Sequence, residues 1–152
     1  MKKIAVISDT HDILRLEVVS VAKSCDGIIH AGDFTRESIL DALRPLGSVY
    51  VVRGNNDRMW AKHLKDTLRF QIGGVSFFLT HDRRNVAGNL DGVDVVIFGH
   101  THKYFQEMIN GRLWLNPGSC GRPRFGGGLS MAVMEINEED HTWTVEKIPI
   151  PG

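Results

Sequence analysis

The sequence consists of short apolar runs, each of which ends in a cluster of polar residues. The runs are mostly four to six residues long and rich in valine, isoleucine and phenylalanine. Continuous apolar runs of this length are typical of strands that are buried on both faces of a sheet. Six such strands are predicted, over residues 4–7, 28–31, 49–52, 75–79, 93–98 and 113–115.

Two segments with a helical spacing of apolar residues separate the first three runs. These segments, residues 13–24 and 36–43, are predicted to be α-helices. The order strand, helix, strand, helix, strand indicates parallel strands that are joined by right-handed crossovers.

The strands after residue 66 follow one another without intervening helices. Gly73-Gly74 predicts a turn, and Asn110-Gly111 is a strong signal for a β-hairpin. Residues 131–136 and 142–148 are predicted to form a final pair of strands. An α/β fold with mixed sheets is therefore expected.

The composition is that of an ordinary globular protein, and the length of 152 residues predicts a single domain over residues 1–152. The 18 basic and 18 acidic residues cancel, so the overall charge favours neither nucleic acid nor an anionic membrane. Cys25 and Cys120 are too few for a disulfide framework. The apolar run near Met1 is too short for a secretory signal, and no run could cross a bilayer, so a cytoplasmic location is expected.

Metal-ligand side chains follow the predicted strands at the point where each strand ends. In parallel α/β folds, ligands bind beyond the carboxyl ends of the strands, so these side chains should converge if the strands lie side by side. Carboxylates, imidazoles and amide oxygens suit divalent manganese, iron, cobalt, nickel or zinc. The set exceeds the needs of one ion and suffices for two ions ~3.5–4 Å apart. The candidate ligands are Asp9, His11, Asp33, Asn55, His81, His100 and His102.

The order of these residues resembles a known family. From Lys3 to about Ser130 the chain carries D-x-H, G-D, G-N-x-D, H, G-H-x-H and N-P-G-S, in the order seen in calcineurin-like metallophosphoesterases. Length and spacing are most similar to the small bacterial and archaeal branch of YfcE-type phosphodiesterases. The resemblance implies a four-layer α-β-β-α sandwich in which two mixed sheets lie between helices.

The resemblance also implies a ligand set for each of two divalent ions, manganese foremost, with nickel, iron, cobalt or zinc as alternatives. Asp33 would bridge the ions, and a hydroxide between them would attack phosphorus in line, as in a phosphoric diester hydrolase. The first ion would be held by Asp9, His11, Asp33 and His102, and the second by Asp33, Asn55, His81 and His100.

Several positions depart from the family pattern. Asn56 stands where many related phosphatases carry a histidine that protonates the leaving oxygen, so this general acid is missing and a small phosphodiester is the expected substrate. Asp82-Arg83 replaces the usual residues after His81, and Asp12 stands where glycine is frequent. Arg83 and Arg124 are candidates for binding a substrate phosphate.

Each candidate also has a structural interpretation. Asp9 and Asp33 could cap helices, and His30, inside an apolar run, is predicted to be buried and hydrogen-bonded without binding metal. Asn116-Pro117-Gly118 is predicted to form a turn that supports the site. A non-catalytic scaffold of the same fold and a phosphomonoesterase are the alternative functions. Neither a membrane nor a nucleic acid is expected as a partner, and a homo-oligomer is left open.

Overall fold

The computed structural model describes residues 1–57, 61–86, 88–122 and 128–151. Within these ranges the chain forms two five-stranded sheets and two α-helices. The helices are α1 (Leu16–Lys23) and α2 (Glu37–Leu43). The strands are β1 (Lys2–Ile7), β2 (Gly27–His30), β3 (Ser48–Val51), β4 (Thr67–Ile72), β5 (Val75–Thr80), β6 (Val95–Ile97), β7 (Tyr104–Ile109), β8 (Arg112–Pro117), β9 (Leu129–Ile136) and β10 (Trp143–Ile150).

The first sheet has the strand order β10-β9-β1-β2-β3. Strands β1, β2 and β3 are parallel, with α1 and α2 in the two crossovers, as the sequence predicts. Strand β9 runs antiparallel to β1 and to β10. Helix α1 begins at Leu16, later than expected, because Arg15 before it has an extended backbone (φ −73°, ψ 147°) and is the N-cap residue.

The second sheet has the strand order β4-β5-β6-β8-β7, in which β5, β6 and β8 are parallel. The predicted hairpin at Asn110-Gly111 is confirmed as the connection between β7 and β8. Both residues have positive φ, 52° and 80°, as a two-residue hairpin turn with the favoured twist requires. Of the turn predicted at Asn116-Pro117-Gly118, the first two residues belong to β8, and the chain turns at Gly118 (φ 78°). The pairing of β8 with β6 ends at Leu115, so the missing N–H of Pro117 interrupts no bond between those two strands.

The two sheets pack face to face over a shared apolar core. Ile4 and Val6 of the first sheet lie in the same buried cluster as Phe77 and Leu79 of the second. Helices α1 and α2 cover the outer face of the first sheet. The outer face of the second sheet is covered by the loop before β6, which contains one turn of 3-10 helix at Arg83–Asn85.

The expected sandwich of two mixed sheets is confirmed, with a loop as its fourth layer in the part of the chain that the structure describes. No helix in that part is long and apolar enough to span a membrane.

Candidate metal centre

The structure brings all seven predicted ligand residues to one edge of the sandwich. Strands β1, β2 and β3 of the first sheet and β5 and β6 of the second sheet end there, and each is followed by a loop that carries one or two of these residues. The convergence therefore depends on both sheets, whereas the sequence predicted only that the strands lie side by side.

Two groups of side chains could each hold a divalent ion. In the first group, His102 Nε2 lies 3.3 Å from Asp9 Oδ1 and 3.4 Å from His11 Nε2. In the second, His81 Nε2 lies 3.3 Å from Asp33 Oδ2 and 3.9 Å from Asp9 Oδ1. The Asp9 carboxylate thus lies between the groups. A bridging role for Asp33 stays a prediction.

Asn55 and His100 extend the second group. His100 Nδ1 lies 3.3 Å from Asn55 Oδ1 and 3.3 Å from His81 Nε2. An amide oxygen and two ring nitrogens therefore meet beside the Asp33 carboxylate, which is a donor set suited to a borderline divalent ion.

Backbone carbonyls set the proton positions on two of the imidazoles. His81 Nδ1 lies 2.7 Å from the carbonyl oxygen of Ala31, and His102 Nδ1 lies 3.1 Å from that of Arg122. A carbonyl oxygen can only accept, so Nδ1 carries the proton on both rings and the lone pair of Nε2 points into the centre. This is the arrangement in which a second partner orients a metal-binding histidine.

Only one of the two carboxylate oxygens of Asp9 accepts hydrogen bonds from the described residues. Oδ2 accepts hydrogen bonds from Ser8 Oγ and from the backbone N–H of His100. Oδ1 is fully buried and has no hydrogen-bond partner among the described residues. An unpaired buried acceptor is costly, and a cation between Asp9 and the imidazole lone pairs would satisfy it. The residues present therefore fit a bound metal.

The carboxylates are held in their charged form. Burial raises the pKa of Asp9, but the neighbouring imidazoles of His102 and His81 and the hydrogen bond from Ser8 outweigh it, so the pKa lies below its ordinary value. Burial likewise opposes ionisation of Asp33, and His81 and Asn56 bring its pKa to about 2. Both side chains are therefore anionic at neutral pH and ready to bind a cation.

Five of the seven candidate ligands have a left-handed backbone, which is unfavourable for residues with a Cβ. Such conformations cluster at functional sites, where the surrounding structure holds them in place. The five are Asp9 (φ 54°), His11 (φ 50°), Asp33 (φ 64°), His100 (φ 74°) and His102 (φ 64°).

The buried carboxylate of Asp57 holds two ligand loops together. Its Oδ2 accepts from the N–H groups of Asp33 and Gly54, and its Oδ1 from those of Phe34 and Thr35, at 2.8–2.9 Å. Burial raises the pKa of Asp57, against these donors, which favour the charged form. Asp57 is the last residue of the G-N-x-D pattern, but its positioning role was not predicted.

His30 connects the loop after β2 to a third ligand loop, the one after β1. Its Nδ1 accepts from the N–H of Gly32, 3.0 Å away, so the proton is on Nε2, which donates to Thr10 Oγ1 at 3.0 Å. Burial lowers the pKa of His30 to about 3, so the ring stays neutral. The prediction of a buried, hydrogen-bonded His30 is confirmed, and the structure adds that it ties the loop after β1 to the loop after β2.

Comparisons with known proteins agree with this geometry. A family model for the calcineurin-like phosphoesterase superfamily domain matches residues 1–139. The chain is 35% identical over 149 residues to a probable metallophosphoesterase from Methanocaldococcus jannaschii, covering 90% of this chain and 76% of the relative. The chain belongs to the calcineurin-like phosphoesterase superfamily. The family resemblance inferred from the motifs is thereby confirmed, and this metallophosphoesterase is a metal-dependent hydrolase of phosphate esters.

Other relatives of this metallophosphoesterase have names that specify more. A phosphodiesterase from the same archaeon is 30% identical over 140 residues, covering 78% of this chain and 84% of the relative. The solved structure of YfcE, a phosphoesterase from E. coli, has a TM-score of 0.70 at 21% identity, covering 98% and 100% of the two chains. Vps29 from Entamoeba histolytica, solved with zinc, has a TM-score of 0.73 at 23% identity, covering 97% and 98%. The likeness to these two structures concerns the fold.

Asn56, at the position where the resemblance implied a missing proton donor, is bound to the Asp33 carboxylate. The backbone N–H of Asn56 donates to Asp33 Oδ1 at 2.8 Å, and its Nδ2 donates to Asp33 Oδ2 at 2.9 Å. Asn56 therefore helps to orient a candidate ligand. Its predicted place at the leaving group stays a prediction.

Arg83, one of the two arginines predicted to bind phosphate, does not lie at the candidate metal centre. The guanidinium of Arg83 lies about 5 Å from the ring centroids of Phe98, Phe105 and Trp114, on the outer face of the second sheet. Its neighbour Arg84 instead lines a cleft of about 840 Å³ beside Asn55 and His100. A substrate role for Arg83 gains no support from this placement. Arg124 lies outside the described residues.

Proposed function

We propose that this metallophosphoesterase hydrolyses small phosphodiesters with the help of two divalent cations. The observation that carries the proposal is the convergence of seven oxygen and nitrogen ligand residues at one edge of the sandwich, in two groups that share Asp9, whose carboxylate has a buried, unpaired oxygen. Two adjoining ligand groups at these distances suit a pair of divalent ions, one ion in each group.

The proposed ligand sets follow the resemblance, with Asp33 shared. When bound, a pair of divalent ions would supply the Lewis acidity that hydrolysis near neutral pH requires. The protein orients Nε2 of His81 and His102 and keeps Asp9 and Asp33 ionised. Asp57 and His30 hold the loops that carry these groups, so little reorganisation is needed when the ions and the substrate bind.

Diester preference is supported by the chemistry at Asn56. An amide cannot donate a proton and stay neutral, and both donors of Asn56 named above are used by Asp33. A phosphomonoester with an alkoxide leaving group needs a proton donor more than a diester with a good leaving group does. The name of the phosphodiesterase from Methanocaldococcus jannaschii agrees with this proposal.

Manganese is the proposed ion, and the cytoplasm is the proposed location.

The formal net charge of zero gives no reason to expect a nucleic acid or an anionic membrane as the partner. A scaffold role of the same fold would not require a complete ligand set, and here all seven positions carry a metal-binding residue type.

The test compares metal-free protein with protein reloaded with manganese, nickel, iron, cobalt or zinc. Hydrolysis of bis(p-nitrophenyl) phosphate should require metal and exceed hydrolysis of p-nitrophenyl phosphate. His81→Asn should abolish it, whereas His63→Asn, an exposed histidine outside the ligand set, should not. Equal turnover by chelated and metal-loaded protein would refute the proposal, and a preference for the monoester would refute its diester part.

A further inference from the structure

The cleft beside Asn55, His81 and His100 is larger than a single phosphate requires. Its volume is about 840 Å³, near the upper end of the range for small-molecule sites. A phosphate bound at the metal ligands would fill only part of this cleft. The remaining space therefore has room for the group that is esterified to that phosphate.

The walls of the cleft come from both sheets. The segment after β3 provides Arg53, Lys62 and Asp66, and the segment after β5 provides Asp82, Arg84 and Asn85. Every described residue that lines the cleft is charged, polar or glycine. These side chains end in polar or charged groups, so the cleft offers hydrogen-bond partners to a polar group on the substrate.

Hydrogen bonding leaves cationic donors unused in the cleft, beside Oδ2 of Asp66, which accepts no hydrogen bond from the described residues. Nε and Nη2 of Arg53 bind Asp66, and the same atoms of Arg84 bind Asp82. Both carboxylate oxygens of Asp57 accept backbone N–H groups. In the part of the chain that the structure describes, Lys62 has no hydrogen-bond or ion-pair partner, and Nη1 has none in Arg53 or Arg84.

Three cationic groups with free N–H donors thus line the cleft, and two of them, Arg53 and Arg84, are also paired with the carboxylates of Asp66 and Asp82. Guanidinium and ammonium groups of this kind bind phosphate oxygens through charge-assisted hydrogen bonds. We infer that this cleft binds a second phosphate of the substrate, carried by the group that is esterified to the reacting phosphate. The inference rests on the proposed function and deepens it, because it names a substrate class: phosphodiesters of an alcohol, such as a nucleoside, that bears another phosphate.

The experiment uses two substrates that differ in one group. Thymidine 5′-(p-nitrophenyl phosphate) and its 3′-phosphorylated analogue release the same p-nitrophenolate, so the ratio of their kcat/KM values measures the effect of the second phosphate. We expect the metal-loaded enzyme to favour the analogue by about tenfold, the size that several exposed charge contacts can provide together. The preference should decrease with added salt.

The ratio should fall to about twofold in Lys62→Ala and in Arg84→Ala. It should be unchanged in Lys23→Ala, an exposed lysine of α1, and in Arg69→Ala, whose guanidinium lies over Phe78 outside the cleft. Equal kcat/KM values for the two substrates in the wild-type enzyme would overturn the inference and leave the phosphodiesterase proposal standing. The inference would also be overturned if Lys62→Ala and Arg84→Ala both kept the wild-type preference for the 3′-phosphorylated substrate. Loss of hydrolysis of both substrates in metal-loaded wild-type enzyme would instead overturn the proposed function itself.

Discussion

The carboxylate of Asp57 accepts four backbone N–H groups, from two loops that carry candidate ligands. Two of the donors, those of Asp33 and Thr35, belong to residues with left-handed backbone, φ 64° and 56°. A charged acceptor can hold such a loop in an otherwise unfavourable conformation, since hydrogen bonds to an ionised group are the strong ones.

Asp57→Asn should therefore lower both stability and metal affinity. The amide keeps the shape but replaces one oxygen by a donor that faces two N–H groups, and each unsatisfied donor costs about 1–3 kcal/mol. We expect a loss of roughly 2–4 kcal/mol in the free energy of unfolding, measured with urea, and a weaker metal titration. Asp91→Asn, at an exposed position, is the control. Unchanged metal affinity in Asp57→Asn would contradict the positioning role.

His30 should make stability depend on pH. Its pKa is about 3 in the folded protein, below the ordinary value of 6.5, so its contribution is present above about pH 6.5 and is lost as the pH falls toward 3. At pH 5 the loss relative to pH 7.5 is about 2 kcal/mol from this residue. Urea unfolding of metal-free wild type and His30→Asn at both pH values isolates this term, because the variant lacks the titrating ring. Equal pH dependence in the two proteins would show that His30 is not the source.

At the scale of elements, β8 supports the loop after β6. Asn116, fully buried near the end of β8, donates through Nδ2 to Gly99 O and to Thr101 Oγ1, both at 3.1 Å. Its Oδ1 accepts from the N–H of Gly118, where the chain turns with φ 78°. Gly99 and Thr101 flank His100, so the hydrogen bonds from Asn116 of β8 hold the loop that carries this candidate ligand. The supporting role predicted for the N-P-G segment agrees with these contacts.

Asn116→Ala should weaken metal binding without removing a ligand. Partners of this kind typically account for about 10–100-fold in metal affinity, and a buried unpaired carbonyl adds about 1–3 kcal/mol of lost stability. The measurement is a metal titration alongside urea unfolding. Asn137→Ala, in the turn between β9 and β10 at the opposite end of β1 from Asp9, is the matched control. Affinity equal to that of the control would contradict this role of β8.

At the scale of the whole molecule, metal binding should contribute to folding stability. The ligands come from five strands in two sheets, so an ion can bind them together only in the folded chain. At a metal concentration 100 times Kd, the stabilisation is about 2.7 kcal/mol for one site, or roughly 5–10 °C in Tm for a chain of this size. Asp33→Ala should remove most of this shift and abolish hydrolysis. The measurement is thermal unfolding with and without manganese after chelation, and an undiminished shift in Asp33→Ala would refute the ligand assignment.

Much of the fold was predictable from local patterns. Ile4–Ile7 and Val75–Leu79 lie in strands because continuous apolar runs bury well on both faces of a sheet. Asn110-Gly111 forms the hairpin because both residues tolerate positive φ. The ligand types were also visible, because carboxylate and imidazole chemistry belongs to the side chain itself.

Other features depended on tertiary structure. Arg83 and Arg84 are neighbours in one turn of 3-10 helix, where successive side chains point about 120° apart, so one contacts aromatic rings and the other lines the cleft. Asp57 accepts from the backbone N–H of Asp33, 24 positions away, and His30 donates to the hydroxyl of Thr10, 20 positions away in the loop after β1. The sequence by itself thus determined which groups could bind a metal. The packing of two sheets decided which of them meet and what holds them, because those contacts join residues up to 91 positions apart.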